Sequence, residues 1–347
     1  MPSPAIAKRP LLILGRIGAL LILAAAVLFS GKFVIFSRGY GLVFLLLGGP
    51  ALALMSYGGR EIGVAFKLAA GVRGTVSERR TSVLFWQSSA RNFWMLGVFA
   101  SIINFVLALT SARASSQGGI EGIASLMAFS LISSVYGLIL AVVCLIPAWK
   151  LGETMRLQPP KEALETKNGP GQKAGVPRTF ETLFGYGLFF VLTAWAFLEP
   201  SGTSAAPLKS WEWIIHLPAI LVVLGGTMAL VLFVGDISSG PAFTLGFGIT
   251  GLAGSLIGFI QVLLGFSSRN IQEVSSALTF ILSSCFLGLL GMMIIGAPLE
   301  ARAAKAGNLE TRKSALSQVA SFVFPLITLM FLVIAFAIVL TPLKKQG

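Results

Sequence analysis

An all-α, polytopic membrane protein is the fold class predicted for this 347-residue chain by three features: sparse charge, long apolar runs, and cations gathered between those runs. Asp, Glu, Lys and Arg make up 11% of residues, against about 25% in an average globular chain. Hydrophobic residues make up 55%, and the mean hydropathy is +0.87. These values exclude a water-soluble enzyme, a disordered tail protein and a free nucleic-acid binder. The net charge of +13 lies in short segments between apolar runs, a pattern that orients helices in a bilayer and does not form a nucleic-acid patch.

A helix needs ~20 apolar residues to cross a hydrocarbon core of ~30 Å, because every backbone polar group must be satisfied internally. Such runs occupy 11–30, 41–58, 93–111, 122–148, 181–198, 214–234, 242–266, 275–297 and 319–340, which predicts about nine transmembrane helices. The first follows Lys8-Arg9 and leads directly into a second apolar run without a small-residue cleavage site, so it reads as a retained helix and not as a signal peptide. The second and sixth each carry a Gly-Gly pair, Gly48-Gly49 and Gly225-Gly226. The fourth runs to Pro147 and the eighth to Pro298, where proline ends or kinks a helix. The ninth carries Pro325.

Charge sets the orientation. With a cytoplasmic N-terminus, eighteen Lys and Arg fall inside, seven fall outside, and Arg16 is left at the inner end of the first span. The positive-inside rule therefore predicts a cytoplasmic N-terminus and a periplasmic C-terminus in a bacterial inner membrane. In this reading 60–91 is a cytoplasmic loop whose Arg73, Arg79 and Arg80 set topology and meet anionic lipid. The stretch 157–180, rich in Pro, Gly and polar residues, is a flexible cytoplasmic linker between two halves.

The halves resemble each other. Gly97, Ser101, Ile103 and Phe105 align without gaps on Gly251, Ser255, Ile257 and Phe259. Phe129, Leu131, Ser133, Gly137, Leu138 and Pro147 align likewise on Phe280, Leu282, Ser284, Gly288, Leu289 and Pro298. The predicted organisation is a four-helix unit over 1–156, the linker 157–180, a second four-helix unit over 181–306 and an extra helix in 307–347. Four spans per unit is an even number, so the two copies are parallel in the membrane.

These residues carry a family resemblance. Ala219-Ile-Leu-Val-Val-Leu-Gly-Gly-Thr227 resembles the second helix of MotA flagellar stator proteins. Gly251-Leu-Ala-Gly-Ser-Leu-Ile-Gly-Phe-Ile-Gln261 resembles the third-helix signature of the wider MotA/TolQ/ExbB proton-channel family, and 122–137 running on to Ile146-Pro147 looks like that family's last helix. The likeness implies an ion-conducting subunit for protons or sodium. It also implies a single-span partner of the MotB/ExbD/TolR type that supplies the titrating carboxylate, and an oligomer. The chain departs from MotA in two respects: it has no large loop between the second and third spans of either half, and no Pro-Gly before the last span. A flagellar torque arm is therefore not expected.

Intramembrane ionisable groups are the default functional pointers in such a protein. Glu121, Glu199, Asp236, Glu273 and Glu300 all fall at span ends in this reading, which leaves no proton carrier within a span. What remains is hydroxyl-bearing. Ser101, Ser130, Ser133 and Ser134 in the first half, with Ser255, Thr279, Ser283 and Ser284 in the second, are the ion-pathway candidates, because a hydroxyl can hydrogen-bond a buried carboxylate or its shuttling water. The competing role for each is close packing or a bond to a preceding-turn carbonyl.

Gly48, Gly49, Gly225, Gly226, Gly254 and Gly258 are predicted to let helices approach closely. His216, beside Trp211 and Trp213, reads as an interfacial anchor. Cys144 and Cys285 lie in apolar runs and read as inert thiols. No catalytic motif, metal-ligand spacing or cofactor motif is present. Gly246-Phe-Gly-Ile-Thr-Gly251 matches a dinucleotide fingerprint only inside a span, without the strand-helix context that motif needs. The expected partners are the bilayer and the single-span protein, with no nucleic acid. A self-contained secondary transporter with two parallel repeats, and a non-conducting assembly factor, are the competing functions.

Overall fold

The structure is a computed structural model that describes residues 40–72, 74–114, 120–156, 179–198, 216–234, 240–267, 271–305, 319–331 and 333–334. The first predicted span, most of the linker 157–180 and the C-terminal end lie outside the described residues. Among the described residues every regular element is helical. In order these are α1 (Tyr40–Ser56), α2 (Gly59–Ala69), α3 (Val76–Ala114), α4 (Ile120–Arg156) and α5 (Thr179–Leu198). Then come α6 (217–234), α7 (Gly240–Ser267), α8 (271–305) and α9 (Val319–Phe331). Two helices carry one π-helical segment each, Leu221–Gly225 in α6 and Met292–Gly296 in α8.

Three stretches are long and apolar enough to cross a membrane: Leu131–Gly152, Pro241–Leu264 and Ser276–Ala303. A fourth is added if α1 and α2, bent by 114° at Tyr57-Gly58, are taken as one broken span. Three shorter apolar helices, Phe180–Ala196, Leu217–Leu232 and Val319–Phe331, lie where further spans are expected.

The expected loop 60–91 is largely helical. α2 lies along it with Ala65 and Leu68 buried, and α3 begins at Val76, well before the apolar run itself. The helix start is set by a reciprocal cap. The Thr75 backbone N–H donates to Glu78 Oε2 at 2.9 Å, and the Glu78 N–H donates to Thr75 Oγ1 at 3.2 Å. Thr75-Val-Ser-Glu78 thus satisfies two of the first orphan amides of the helix, which hydropathy alone does not register.

Two helical hairpins organise the described core. α3 packs on α4 in the first half, and α7 packs on α8 in the second. α1 and α2 pack against α3, and α6 packs against α7. The halves meet where α8 crosses α3. Phe99 of α3 is fully buried there, stacked on Phe286 of α8 with ring centroids 4.7 Å apart. It is also flanked by Phe44 of α1 at 6.3 Å and Phe189 of α5 at 6.1 Å. One ring from each of four helices therefore fills a single core layer.

Truncating that layer leaves a cavity, while truncating a ring that faces outward does not. Phe99→Ala is expected to cost about 3–5 kcal/mol, whereas Phe180→Ala, at an exposed position of α5, should stay within about 0.5 kcal/mol. Thermal unfolding in detergent checks both.

Candidate functional site

The two hairpins are closed by the same contacts at the same aligned positions. In α3–α4, a methyl group added at Gly97 would lie 2.8 Å from Gly137 Cα, and one added at Gly137 would lie 2.6 Å from the Phe93 carbonyl oxygen. In α7–α8, a methyl at Gly251 would lie 3.1 Å from Gly288 Cα, and one at Gly288 would lie 3.1 Å from the Phe247 carbonyl oxygen. Neither seam has room for a side chain, so glycine is required for the backbones to touch.

About one helical turn from each glycine contact sits a polar bridge. Ser101 Oγ and Ser134 Oγ are 2.7 Å apart, and the Ser134 N–H also donates to Ser101 Oγ at 3.1 Å. In the second hairpin Ser255 Oγ and Cys285 Sγ are 2.9 Å apart, and Ser255 Oγ donates to the Gly251 carbonyl at 2.7 Å. Cys285 takes the place that Ser134 holds in the first half. It is buried in a polar contact as well as an apolar run.

The remaining hydroxyl candidates divide between these seams. Ser133 Oγ accepts from Asn104 Nδ2 at 3.0 Å and presses on Gly41 of α1. Ser284, its aligned counterpart, faces Gly254 of α7, is fully buried, and has no hydrogen-bond partner for its Oγ among the described residues. Ser283 is also fully buried and Thr279 is half-buried. For Ser130 only the helical backbone is described.

The structure thus places Ser101 with Ser134, and Ser133 with Asn104, in one hairpin, and Ser255 and Ser284 in the other. Another hydroxyl pair, absent from the sequence-derived set, joins α6 to α7. Thr227 Oγ1 and Thr250 Oγ1 are 3.0 Å apart, and both reach the Val223 carbonyl in the π-helical segment, at 2.6 and 3.2 Å.

Five of the six glycines named from the sequence stand close to a neighbouring side chain. Gly48 and Gly49 of α1 abut Leu96 and Phe93, Gly226 abuts Thr250, and Gly258 abuts Ile281. Gly225 faces open space. His216 N-caps α6 by position and lies edge-on to Phe280 with ring centroids 5.6 Å apart.

The feature that the sequence reading missed is charged. Arg91 Nη1 donates to Glu300 Oε2 at 2.6 Å, and each residue is only 5% exposed. Arg91 is not a loop cation but a residue inside α3, and Glu300 is not a surface span end but a buried position of α8. The pair therefore joins the first half to the second beside Tyr57, at the bend between α1 and α2. Tyr57 is itself buried and lies within electrostatic reach of Arg91, Glu300 and Glu61. A signal was available in the sequence: Arg91 stands just before Phe93-Trp94-Met95, and Glu300 directly follows Ala297-Pro298-Leu299, so both charges border apolar residues.

Among the described residues no group of three or more His, Cys, Asp or Glu is placed to hold a metal ion. Comparison of the chain with protein-family models, with curated proteins and with solved structures found no match.

Removing one member of a buried ion pair strands the other in apolar surroundings and costs about 3–5 kcal/mol. Arg91→Glu or Glu300→Arg alone should therefore lower the unfolding temperature sharply, and the swapped double variant should recover most of the loss. Gly97→Ala and Gly251→Ala should each cost about 1–3 kcal/mol by forcing the seams apart. The same melts check all of these variants, and a neutral Gly97→Ala contradicts the seam geometry.

Proposed function

We propose that the chain is an ion-conducting subunit of the bacterial inner membrane resembling MotA/TolQ/ExbB. It consists of two parallel four-helix units, 1–156 and 181–306, joined by 157–180 and followed by the extra helix of 307–347, about nine spans in all. It carries protons or sodium ions together with a single-span, carboxylate-bearing partner of the MotB/ExbD/TolR type, and uses that flow for transport or mechanical work across the envelope. The observation that carries this reading is the repeated seam: the aligned pairs Gly97–Gly137 and Gly251–Gly288, and the aligned bridges Ser101–Ser134 and Ser255–Cys285, recur in both hairpins. Recurrence of a polar contact inside an apolar bundle at matched positions supports a shared architecture whose hydroxyls stay clear of lipid.

A second reading is favoured by the Arg91–Glu300 pair. A self-contained secondary transporter places its site between two repeats near charged groups, and this pair lies between the halves. The two readings diverge on what must be present. The channel subunit needs a partner carboxylate; the transporter moves substrate alone.

Co-purification from the native membrane followed by mass spectrometry should return a single-span protein with an intramembrane Asp. Its absence, together with solute uptake by the chain alone in liposomes, favours the transporter. Reporter fusions should place 60–91 and 157–179 in the cytoplasm and residue 347 outside. With the partner present, Ser133→Ala/Ser284→Ala should lower proton-driven flux at a stability cost of about 1 kcal/mol, since only the Asn104 bond is lost. Wild-type flux in that variant means that the matched hydroxyls serve packing alone.

A further inference from the structure

Aligned positions of the two halves differ sharply in what covers them. On α8, Phe286, Leu289 and Met293 are spaced as one helical stripe and are buried, as is Glu300 beyond the π-helical segment; Phe286 stacks on Phe99 and Glu300 pairs with Arg91, so α8 lies on α3. The positions of α4 aligned with Phe286, Leu289 and Met293 are Val135, Leu138 and Val142. All three are exposed, Leu138 the most at 45%.

The receiving face repeats the pattern in reverse. On α3, Met95, Phe99, Ile102, Ile103 and Val106 are at most 1% exposed. Their aligned positions on α7 are Ile249, Ala253, Leu256, Ile257 and Ile260, of which Ile249 and Ile260 are 52% and 55% exposed. Among the described residues, one half therefore presents a filled socket and an exposed plug, and the other a used plug and an exposed socket. An apolar face in a membrane protein needs no partner, because lipid covers it as well as protein does. What separates these two stripes from ordinary lipid-facing surface is that each is the aligned counterpart of a stripe that the chain itself packs.

From this correspondence we infer that α4 of one molecule docks on α7 of a second copy of the same chain, through an interface equivalent to the α8-on-α3 junction within each molecule. The contact is heterologous, head to tail, and repeats the operation that relates the halves. Because the two halves are parallel in the proposed architecture, every copy keeps the same orientation in the bilayer. The inter-copy junction lacks the ion pair: Trp149 stands at the position aligned with Glu300, and Leu245 at that aligned with Arg91. The interface between copies is thus apolar where the interface within the chain is charged, and this difference keeps the α8 plug in its own socket. The inference rests on the proposed duplication and is independent of whether the assembly conducts ions.

The test is disulfide cross-linking of full-length chains in membranes, in a Cys144→Ala/Cys285→Ala background, with Val135→Cys and Ala253→Cys carried on separately tagged copies. These two positions are the counterparts of Phe286 and Phe99. Oxidation should give a heterodimer band when the two variants are co-expressed and none when either is expressed alone. No cross-link between two monodisperse variants, or a Val135→Cys copy that links to itself, overturns the inference. If a variant fails to fold, single-molecule photobleaching of the labelled wild-type chain in nanodiscs decides: steps for one copy only, at all protein densities, also overturn it. A missing cross-link, where an experimental structure shows the halves to be related, rejects the docking alone. Unrelated halves reject the duplication itself.

Discussion

The buried contact between Arg91 and Glu300 is the constraint on which the arrangement of the halves depends. Apolar packing between helices tolerates small slides and rotations, because one methyl contact replaces another at little cost. A guanidinium and a carboxylate withdrawn from water tolerate neither, since displacement by a single helical turn leaves both charges without a partner. The pair therefore fixes the register of α8 on α3, and the stacking of Phe99 on Phe286 further along both helices follows from that register. α9 is drawn into the same assembly. The Trp94 indole N–H donates to the Phe322 carbonyl at 3.1 Å, and the Phe324 ring closes on Gly251 and Gly288.

The hairpins themselves are built on a different principle. Glycine at both contact positions lets backbones meet, and a hydroxyl or thiol bridge one turn away satisfies polar groups that lipid cannot. This local solution works wherever it is placed, which is why it appears in both halves with Cys285 standing where the first half has Ser134. What differs between the halves is their surroundings. α3 sits at the centre, covered by α1, α4, α5 and α8, while α7 has an exposed outer face. Unequal neighbours around similar hairpins leave α4 and α7 with apolar stripes that no described residue covers.

Much of this was legible in the sequence. The all-helical class followed from apolar runs, and the runs over 181–198 and 242–266 fall close to α5 and α7. The alignment matched Gly97 to Gly251 and Gly137 to Gly288 as repeat positions, but the contacts of Gly97 with Gly137 and of Gly251 with Gly288 were not among the packing glycines expected from the sequence. Two kinds of feature were not legible, for separate reasons. The long N-terminal extension of α3 was hidden because its Ser, Glu and Arg residues read as a polar loop, although the Thr75-Glu78 capping box marks a helix start. The ion pair was hidden because hydropathy treats a charge near the end of an apolar run as exposed. Pairing across 209 residues of sequence is a tertiary property that no local pattern announces. Among the hydroxyls, Ser101, Ser134, Ser255 and Ser284 were named in the sequence as ion-pathway candidates and are buried, while nothing in it signalled the Thr227–Thr250 bridge at the α6 π-segment.

The central proposal is that the two halves, joined where α8 lies on α3, are parallel repeats of one unit. An experimental structure of the full chain in lipid nanodiscs tests it most directly. The account predicts that α3–α4 superposes on α7–α8 by a rotation about an axis along the membrane normal, with Arg91 and Glu300 in contact at the junction. An inverted relation between the hairpins, or Arg91 and Glu300 separated and each facing water, would contradict it.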